Sequence, residues 1–514
     1  MTAASRVLYR QPMKLAVLGS GPSAFYLTQR LLNQLPATTN DAVHMYERLP
    51  VPFGLVRYGV APDHPDVKNC TNSFSRAAQD SRFELYGGVS VGSHNAAQEH
   101  KRTLQVSLAD ISKHYTHLAF SYGAANATHL SSVHGSAGSP NRIQRGVYSA
   151  SEIVGWYNGH PDYMHLHDAI VNDLMKARKV AIIGQGNVGL DIARMLVTTD
   201  YTKLAKTDIP SKVLTTLQNT SIKHVDLIGR RGIGQVAFTA KETREMMHLP
   251  HVAMQGIDKH AMHEVMTQGD AQGDKEWRAK KRILSLLSDG STCKETEATR
   301  TWGLKFLLSP IEFVSEGDSL NKINFAVNKL TQSAPSTSVI GSEPATQSPP
   351  RLLATPTDQT HEEQYDLVIE SIGYRSEQID DIPFDASKGV IRNSGGRVVD
   401  DEGANIPNVY STGWASRGPV GVIASTMYDS YSVADTILQD LHNDDDGATP
   451  STRLDWAPSI KSPQQGVPQS VQDYAVKWRD WERINEAEIA QGQANGKIRE
   501  KMLTIDEMYE VLAR

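Results

Sequence analysis

Residues 14–24 read KLAVLGSGPSA, a short apolar run that leads into a glycine-rich turn. Such a run is typical of a buried parallel strand, and the apolar residues after the turn recur at helical spacing. The pattern predicts a strand over 14–18 and a helix over 23–35. Gly19 permits a tight turn, and Gly21 lets the pyrophosphate of a dinucleotide approach the backbone. The N-terminus of the helix would then offer free N–H groups to phosphate.

The next strand indicates which nucleotide fits this first unit. It is predicted over 42–46 (AVHMY) and is followed by Glu47. A carboxylate at this position accepts hydrogen bonds from the ribose hydroxyls and repels a 2′-phosphate. The first unit is therefore predicted to bind FAD or NAD, with a glycine turn that binds no ligand as the alternative.

A second unit of the same design begins at residues 179–189, KVAIIGQGNVG, and its helix is predicted to run through Leu196. Its second strand, 224–228 (HVDLI), is followed after one glycine by Arg230 and Arg231. Two guanidinium groups at the ribose position complement a 2′-phosphate, which they can bind in bidentate geometry. This unit is predicted to bind NADP, with an ordinary pair of solvated arginines as the alternative.

The bulk properties of the chain fit two such domains and exclude several classes of protein. At 514 residues the chain is too long for one ordinary core, and it has no apolar run long enough to predict a transmembrane helix. The net charge of −6 argues against a general nucleic-acid binder. Cys70 and Cys293 are far apart, which excludes a protein-bound iron–sulfur cluster, a zinc ribbon and a thioredoxin-type dithiol. We predict no metal site and a reducing compartment.

Two further segments carry candidate functional groups. Residues 50–65, PVPFGLVRYGVAPDHP, alternate Pro and Gly with apolar residues, so we expect no regular element there, and His64 lies at their end. A lone histidine is more often structural than functional.

Residues 408–431 predict a strand, a Gly/Pro turn after Trp414 and a helix that begins near Gly421. The N–H groups at the start of this helix could face a flavin or a nicotinamide. Trp414 is equally compatible with a core position.

Other stretches are predicted to lie at the edges of the fold. Residues 331–360 are dense in Ser, Thr, Pro and Gln, which predicts a surface insertion or a disordered excursion. Residues 478–512 have a helical period and predict a late helical cap.

The first 40 residues lack Asp and Glu and contain Arg, as transit sequences do, yet only about a dozen residues precede the first strand. Two interpretations of the N-terminal residues are therefore kept: a short ordered lead-in, and the remainder of a processed leader.

Six sequence blocks occur in the order GSGPSAFY, YERLPVPFGLVRYGVAPDHPDVKN, GQGNVGLDIAR, GRRGIGQVAFTAKETREM, SIGY and GWASRGPVGVI. In this order and context they resemble the adrenodoxin reductase family, which comprises the mitochondrial NADPH:ferredoxin reductases and their bacterial relatives. The resemblance extends to the tail DWERINEAEIAQGQANGKIREKML and so spans nearly the whole chain. Residues 331–360 and 128–145 depart from the family pattern.

The resemblance implies a glutathione-reductase-like α/β fold with two Rossmann-like three-layer domains. An FAD domain would comprise residues 1–121 and 370–514, and an NADP domain would comprise residues 122–369. The implied FAD contacts, besides Gly19 and Gly21, are Ser23, Glu47, Leu55, Val91, Trp414, Gly421, Val422 and Ile423. The implied NADP contacts are Gln185, Gly186, Asn187, Val188, Arg230, Arg231, Glu242 and Gly421.

The resemblance also implies a polar cluster near the nicotinamide and the flavin. Its members would be His64, Asp191 and Glu242, of which His64 and Glu242 would assist protonation steps.

A ferredoxin would dock on a basic face of the chain. The resemblance assigns this face to Arg244, Arg278 and Arg282, and the last two share one side if their segment is helical.

The implied activity is transfer of a hydride from NADPH to FAD and then of single electrons to a [2Fe–2S] ferredoxin of the adrenodoxin type. Two alternatives stay open, an FAD- and NADP-binding redox sensor and a reductase subunit with another acceptor. The resemblance places the protein in the mitochondrial matrix, free or at the inner membrane, or in the cytoplasm if it comes from a bacterium. We expect a monomer.

Overall fold

The computed structural model describes residues 12–92, 101–272, 275–332, 352–380, 382–443 and 464–513. The strands are β1 (Lys14–Leu18), β2 (Ala42–Glu47), β3 (Phe83–Gly87), β4 (Val89–Val91), β5 (Leu104–Val106), β6 (His117–Phe120), β7 (Asn126–Ala127), β8 (Val147–Ser149), β9 (Lys179–Ile183), β10 (His224–Ile228), β11 (Val252–Met254), β12 (Arg300–Lys305), β13 (Leu308–Glu316), β14 (Ser319–Gln332), β15 (Leu352–Gln364), β16 (Leu367–Glu370), β17 (Tyr374–Arg375), β18 (Phe384–Asp385), β19 (Val390–Ile391), β20 (Asn393–Ser394), β21 (Arg397–Val399) and β22 (Asn405–Ser411). The α-helices are α1 (Pro22–Gln34), α2 (Leu55–Tyr58), α3 (Thr71–Ala77), α4 (Leu108–Ser112), α5 (Ala150–Asn158), α6 (His167–Lys176), α7 (Asn187–Val197), α8 (Ser211–Gln218), α9 (Ala240–Met247), α10 (Lys259–Gln272), α11 (Lys275–Asp289), α12 (Trp414–Arg417), α13 (Ile423–Asn443), α14 (Gln469–Tyr474), α15 (Trp478–Ala494) and α16 (Ile505–Val511).

The first glycine-rich turn lies at the carboxyl edge of a seven-stranded sheet with the order β20-β21-β22-β6-β1-β2-β3. Strand β1 is central and pairs in parallel with β2 and β6. Helix α1 packs against α13, and Phe25 of α1 stacks on Phe74 at a centroid distance of 5.0 Å. Parallel strands buried on both faces explain why β1 reads as a continuous apolar run.

The second turn lies at the carboxyl edge of a parallel six-stranded sheet with the order β11-β12-β10-β9-β16-β8. Its core includes Trp156 and Trp302, both fully buried. An antiparallel sheet of β13, β14 and β15 lies beside it in sequence, between β12 and β16. In both sheets the chain order reverses next to the parallel strand that enters the glycine turn, which is where open α/β sheets bind ligands.

The structure confirms several local predictions. Strands 14–18, 179–183 and 224–228 have the predicted bounds. The first predicted helix differs from α1 by one residue at each end, and the second ends one residue before α7 does. The charged tail contains α15 and α16, as its period predicted. The division into domains at residues 122 and 369 stays a prediction.

Two predictions about irregular segments need correction: the described part of 331–360 forms regular strands, although the exposed side chains of β15 agree with a surface insertion, and 50–65 contains a helical turn. Of residues 331–360, the structure places 331–332 in β14 and 352–360 in β15, which pair in antiparallel over many residues. Backbone pairing with a partner strand outweighs the turn-rich composition of this stretch. Residues 333–351 lie outside the described residues, as does the leader at 1–11. In the 50–65 segment, α2 forms one helical turn, because LVRY contains neither Gly nor Pro.

No helix in the described ranges combines the length and the apolar composition that crossing a membrane requires.

Candidate functional site

The first glycine-rich turn leaves room for a ligand at the N-terminus of α1. Gly19 has φ 103°, and a Cβ there would lie 2.5 Å from the Tyr122 Cα, so this position requires glycine. A Cβ at Gly21 would meet no atom within 4 Å, which leaves open space in front of the helix. Pro22 starts α1 at a position where no intrahelical N–H bond is lost. The cradle thus exposes backbone N–H groups to an anion.

Glu47 is fixed at the edge of this cradle. Its Oε2 accepts hydrogen bonds from the Ser20 backbone N–H (3.1 Å) and hydroxyl (2.6 Å), and its Oε1 accepts one from the Leu49 N–H (3.0 Å). These bonds hold the carboxylate in one orientation while lone pairs remain for ribose hydroxyls.

The turn before Trp414 closes over the start of α1. Gly413 has φ 66°, and a Cβ there would lie 2.6 Å from the Ser23 Cβ. Its N–H donates to Asp429 Oδ2 at 2.7 Å. The Trp414 ring stacks on Tyr374 with centroids 6.3 Å apart. Sequence positions nearly 400 residues apart therefore meet at one cleft.

The other predicted FAD contacts differ in burial. Val91 is buried at 6% exposure, Leu55 and Ile423 are half-buried, and Gly421 and Val422 are exposed. Val422 is 56% exposed. An exposed apolar side chain beside a cleft offers a surface that a planar ring can cover.

Phe53 was not predicted as a member of this cleft, and its backbone marks it as unusual. It has φ 86°, a conformation that bulky residues rarely adopt. Its N–H donates to the Ser20 carbonyl oxygen at 3.0 Å, which ties the 50–65 segment to the first glycine turn.

The second glycine-rich turn repeats the geometry of the first. Gly184 has φ 126°, and a Cβ there would lie 2.0 Å from the Ser371 carbonyl oxygen, whereas a Cβ at Gly186 would meet nothing within 4 Å. Gln185 Nε2 donates to the carbonyl oxygens of Leu227 (3.0 Å) and Lys305 (2.9 Å), which fixes the turn to β10 and β12.

Arg230 and Arg231 follow β10 at the carboxyl edge of the same sheet, and both side chains are exposed. Their backbone is held in place. The Arg230 carbonyl oxygen accepts from Asn328 Nδ2 (3.0 Å), and the Arg231 carbonyl oxygen accepts from the Leu307 N–H (3.1 Å). Two exposed guanidinium groups on a fixed loop can bind a phosphate.

Asn187 and Val188 begin helix α7. Asn187 Oδ1 accepts from the Thr239 N–H at 2.8 Å, and this bond joins the second turn to the cap of α9. Helix α9 carries Glu242, so the cradle and the polar cluster are connected through one loop.

The structure brings the predicted cluster residues together. Ligand-type atoms of His64, Asp191 and Glu242 all lie within 4.8 Å of one another. His64 Nε2 lies 3.8 Å from Glu242 Oε2 and 2.6 Å from Glu245 Oε2. Glu245, one helical turn after Glu242, was not predicted, although its spacing on α9 places it on the same face.

Arg194 is the main residue that the sequence analysis missed. Arg194 is buried, with 3% of the residue exposed. Its guanidinium nitrogens lie 2.6 Å from a carboxylate oxygen of Asp63, 2.7 Å from one of Asp191 and 3.1 Å from one of Glu242. It thereby joins the segment that carries His64 to helices α7 and α9. Its one signal in sequence is its position one helical turn after Asp191, at the end of GQGNVGLDIAR.

The cluster alters the proton affinity of its members. Burial is the main cause that raises the pKa of Glu242 to about 7, and the charge of Asp191 is the second. The charges of Arg194 and His64 lower this pKa but do not cancel the rise. Burial also raises the pKa of Asp191. Burial is the largest single influence on the pKa of His64 and lowers it, but the hydrogen bond to Glu245 together with the charges of Asp63 and Asp191 makes the net shift upward. Groups that exchange protons near neutral pH are typical of sites that handle protons.

The same three side chains have ligand types that suit a metal ion. Arg194, however, already compensates the charge of Asp191 and Glu242 from within hydrogen-bond distance. A cation would compete with this guanidinium, so the geometry favours proton handling over metal binding.

The proposed docking arginines lie on two helices that pack together, α9 and α11. Arg244 on α9 is half-buried, and Arg278 and Arg282 on α11 are exposed. The segment of the last two is helical, as the sequence analysis required. A single docking face for all three stays a prediction.

The chain is similar to known proteins over nearly its whole length. No family model matches the chain. The NADPH:adrenodoxin oxidoreductase of Salvelinus fontinalis is 36% identical over 513 residues, with 97% of this chain and 91% of the relative covered. The Bos taurus enzyme of the same name is 36% identical, with 98% and 92% covered. The structure of Mycobacterium tuberculosis FprA in complex with NADPH matches with TM-score 0.78 and 32% identity, over 98% of this chain and 100% of that one.

Proposed function

Because the chain belongs to the adrenodoxin reductase family of NADPH-dependent flavoprotein oxidoreductases, we propose that it transfers electrons from NADPH through FAD to a [2Fe–2S] ferredoxin of the adrenodoxin type. One observation carries the proposal, namely the pairing of an acidic cradle with a basic one. Glu47 follows the second strand of the first unit, and Arg230 and Arg231 follow the second strand of the other. This pairing distinguishes FAD from NADP within one chain.

The first cradle fits FAD. The open space at Gly21 admits a pyrophosphate, and Glu47 is oriented for ribose hydroxyls. Trp414 and Val422 would contact the ring system. When bound, FAD accepts two electrons as a hydride and releases them singly, which a nicotinamide cannot do.

The second cradle fits NADPH. Gly186 admits the pyrophosphate, and Arg230 and Arg231 would bind the 2′-phosphate. NADPH would enter as the substrate and supply the hydride.

The polar cluster would hold the protons that accompany electron transfer. With a pKa of about 7, Glu242 can carry a proton at neutral pH, and His64 Nε2 shares a hydrogen bond with Glu245. Arg194 holds Asp63 and Asp191 in place by hydrogen bonds, so that the cluster keeps its shape when Glu242 changes protonation.

The electrons would leave to a protein partner. The two cysteines lie far apart in the sequence and form no disulfide, so neither a dithiol nor a cluster of this chain can relay electrons. Arg244, Arg278 and Arg282 would bind the acidic surface of the ferredoxin. The relatives' names support a mitochondrial location, and a monomer stays a prediction.

An anaerobic absorbance measurement tests the function. Purified protein would be mixed with NADPH, and separately with NADH, while the flavin band near ~450 nm is followed. We expect fast bleaching with NADPH and poor bleaching with NADH, and then reduction of an added [2Fe–2S] ferredoxin. Bound FAD that neither nucleotide bleaches would contradict the proposal and favour a redox sensor. Bleaching without electron transfer to any ferredoxin would favour another acceptor.

A further inference from the structure

One buried cation has no part in the activity described so far. Lys501 lies between α15 and α16, and its side chain is 0% exposed. Its ammonium group donates to the carbonyl oxygens of Arg57 and Asn158, each at 3.0 Å, and lies 3.0 Å from Asp208 Oδ2. Three protons thus have three acceptors, as burial of a charge requires.

These acceptors belong to both nucleotide-binding units. Arg57 lies in α2, beside the first glycine turn, whereas Asn158 ends α5 and Asp208 precedes α8, both packed with the second unit. A cation at the last carbonyl groups of two helices is favourable, because those groups have no intrahelical partner. One ammonium group therefore joins the two units.

A second lysine, Lys68, also binds the carboxylate of Asp208. Lys68 Nζ lies 2.8 and 2.7 Å from the two oxygens of Asp208. Lys68 follows His64 by four residues, in a short 3-10 helix. The segment 57–68 is thus held at one end by Lys501 and at the other by the pair of Lys68 and Asp208.

The middle of this segment contributes two members of the polar cluster. Asp63 accepts from Arg194 Nε at 2.6 Å, and His64 contacts Glu245 at 2.6 Å. A shift at either end would move both side chains relative to α7 and α9.

The chain around Lys501 is itself rigidly held. Glu488 of α15 pairs with Arg57 (2.5 Å) and Arg499 (2.7 Å), and Glu500 accepts from the Ser211 N–H (2.8 Å). A Cβ at Gly492 would lie 2.4 Å from the Arg499 Cα, so the loop that carries Arg499 lies directly against helix α15.

We propose that Lys501 is a positioning residue for the reaction at the neighbouring cluster, where it locks the 57–68 segment to the second nucleotide unit. This inference rests on the proposed function. Burial lowers the pKa of Lys501 to about 7, against the attraction of Asp208, because a charge is costly to bury. The lock acts through His64 and Asp63 and touches neither nucleotide cradle.

The test compares Lys501→Met with Lys203→Met in the FAD-loaded full chain. Methionine keeps the length of the side chain but removes the charge, and Lys203 is an exposed lysine in the turn before Asp208. Single-turnover flavin reduction is measured over a range of NADPH concentrations, to separate the limiting rate from the affinity. Hydrogen exchange is followed in peptides that cover residues 57–70 and 184–196.

We expect Lys501→Met to lower the limiting rate by about 10- to 100-fold, with FAD content and NADPH affinity unchanged, because misplacement of an active-site group by about 1 Å has that effect. Exchange should rise in 57–70 and stay constant in 184–196. Lys203→Met should match the wild type. Should Lys501→Met fail to fold, Asp208→Asn is the second variant, with the same expectation.

Three results would overturn the inference. These are a limiting rate equal to that of the wild type, a loss of FAD with no change in the limiting rate of the remaining holoenzyme, and unchanged exchange in 57–70. If NADPH fails to reduce the wild-type flavin, the proposed function is wrong. The exchange of 57–70 then decides alone whether Lys501 positions the segment.

Discussion

The two nucleotide cradles share one backbone design and differ in the groups that follow their second strands. Gly19 and Gly184 both have a positive φ and no room for a Cβ, and Gly21 and Gly186 both face open space. The common part binds pyrophosphate, which every dinucleotide has. The groups that discriminate between FAD and NADP therefore lie outside the glycine-rich turns.

The discriminating groups also differ in how they are held. The Glu47 carboxylate is half-buried and bonded to Ser20 and Leu49, whereas the side chains of Arg230 and Arg231 are exposed and only their backbone is fixed. A preformed carboxylate suits a cofactor that stays bound. Exposed guanidinium groups attract a charged substrate from solution and let it leave again. The comparison indicates one resident and one exchanging nucleotide.

The largest expected effect separates the cradles by their phosphate preference. Replacing both Arg230 and Arg231 by Ala should lower kcat/KM for NADPH by about 10²- to 10⁴-fold, since each of the two charged hydrogen bonds is worth about 1.5–3 kcal/mol. The kcat/KM for NADH, which lacks the 2′-phosphate, should change by less than about threefold. Steady-state assays with ferricyanide as acceptor measure both values. Arg178→Ala, an exposed arginine just before β9, is the control. Equal losses for the two nucleotides would refute the 2′-phosphate assignment.

The reciprocal change addresses the first cradle. Glu47→Gln keeps the shape of the side chain but removes the charge that ribose hydroxyls would meet. The Kd of FAD should rise by about 10- to 100-fold, the value of one charged hydrogen bond. Fluorescence of released FAD measures this Kd, and equilibrium binding of NADP should be unaffected. A comparable loss of NADP affinity would mean that the two cradles are not independent.

The features that sequence reasoning predicted are local ones. β1, β9 and β10 are short apolar runs beside glycine, and their bounds follow from burial on both faces of a parallel sheet. The choice of nucleotide follows from one position after a strand, which a pattern can locate. These predictions need no knowledge of distant contacts.

The missed features depend on pairs that are distant in sequence. Arg194 has the sequence context of a surface helix residue, and its role exists only because Asp63, 131 residues away, meets it. Lys501 contacts the Arg57 carbonyl across 444 positions. Strand β15 has a turn-rich composition that hides its pairing with β14, and Pro356 sits beside a register shift opposite Asn328, where a ladder N–H is dispensable.

A smaller effect concerns the exit of electrons, which neither cradle controls. Arg278→Glu and Arg244→Glu should slow ferredoxin reduction by about 3- to 10-fold at low ionic strength, because charges at an interface act mainly on the association rate. The difference should shrink as salt screens the charges. Reduction of ferricyanide, which needs no docking face, should be spared. Lys113→Glu, an exposed site after α4, is the control. If ferricyanide reduction falls equally, the docking role is wrong.

The smallest effect concerns stability and tests the cluster that joins the two cradles. The pKa of Glu242 is raised from 4.5 to about 7, first by burial and then by Asp191. A raised carboxyl pKa means that the folded state holds its proton more tightly than the unfolded chain. The contribution of Glu242 to the stability of the folded state is therefore present below its pKa in the unfolded chain, and it is lost as the pH rises through its pKa in the folded state.

Glu242→Gln, which mimics the protonated acid at every pH, should accordingly leave Tm almost unchanged near about pH 5 and raise it by about 2 °C near about pH 8. Thermal unfolding of the FAD-loaded protein at both pH values measures the difference. Glu297→Gln, at an exposed site, should show no such trend. A stabilisation that is larger at the lower pH would reverse the sign required here. It would show that Arg194 and His64, rather than burial and Asp191, dominate the proton affinity of Glu242.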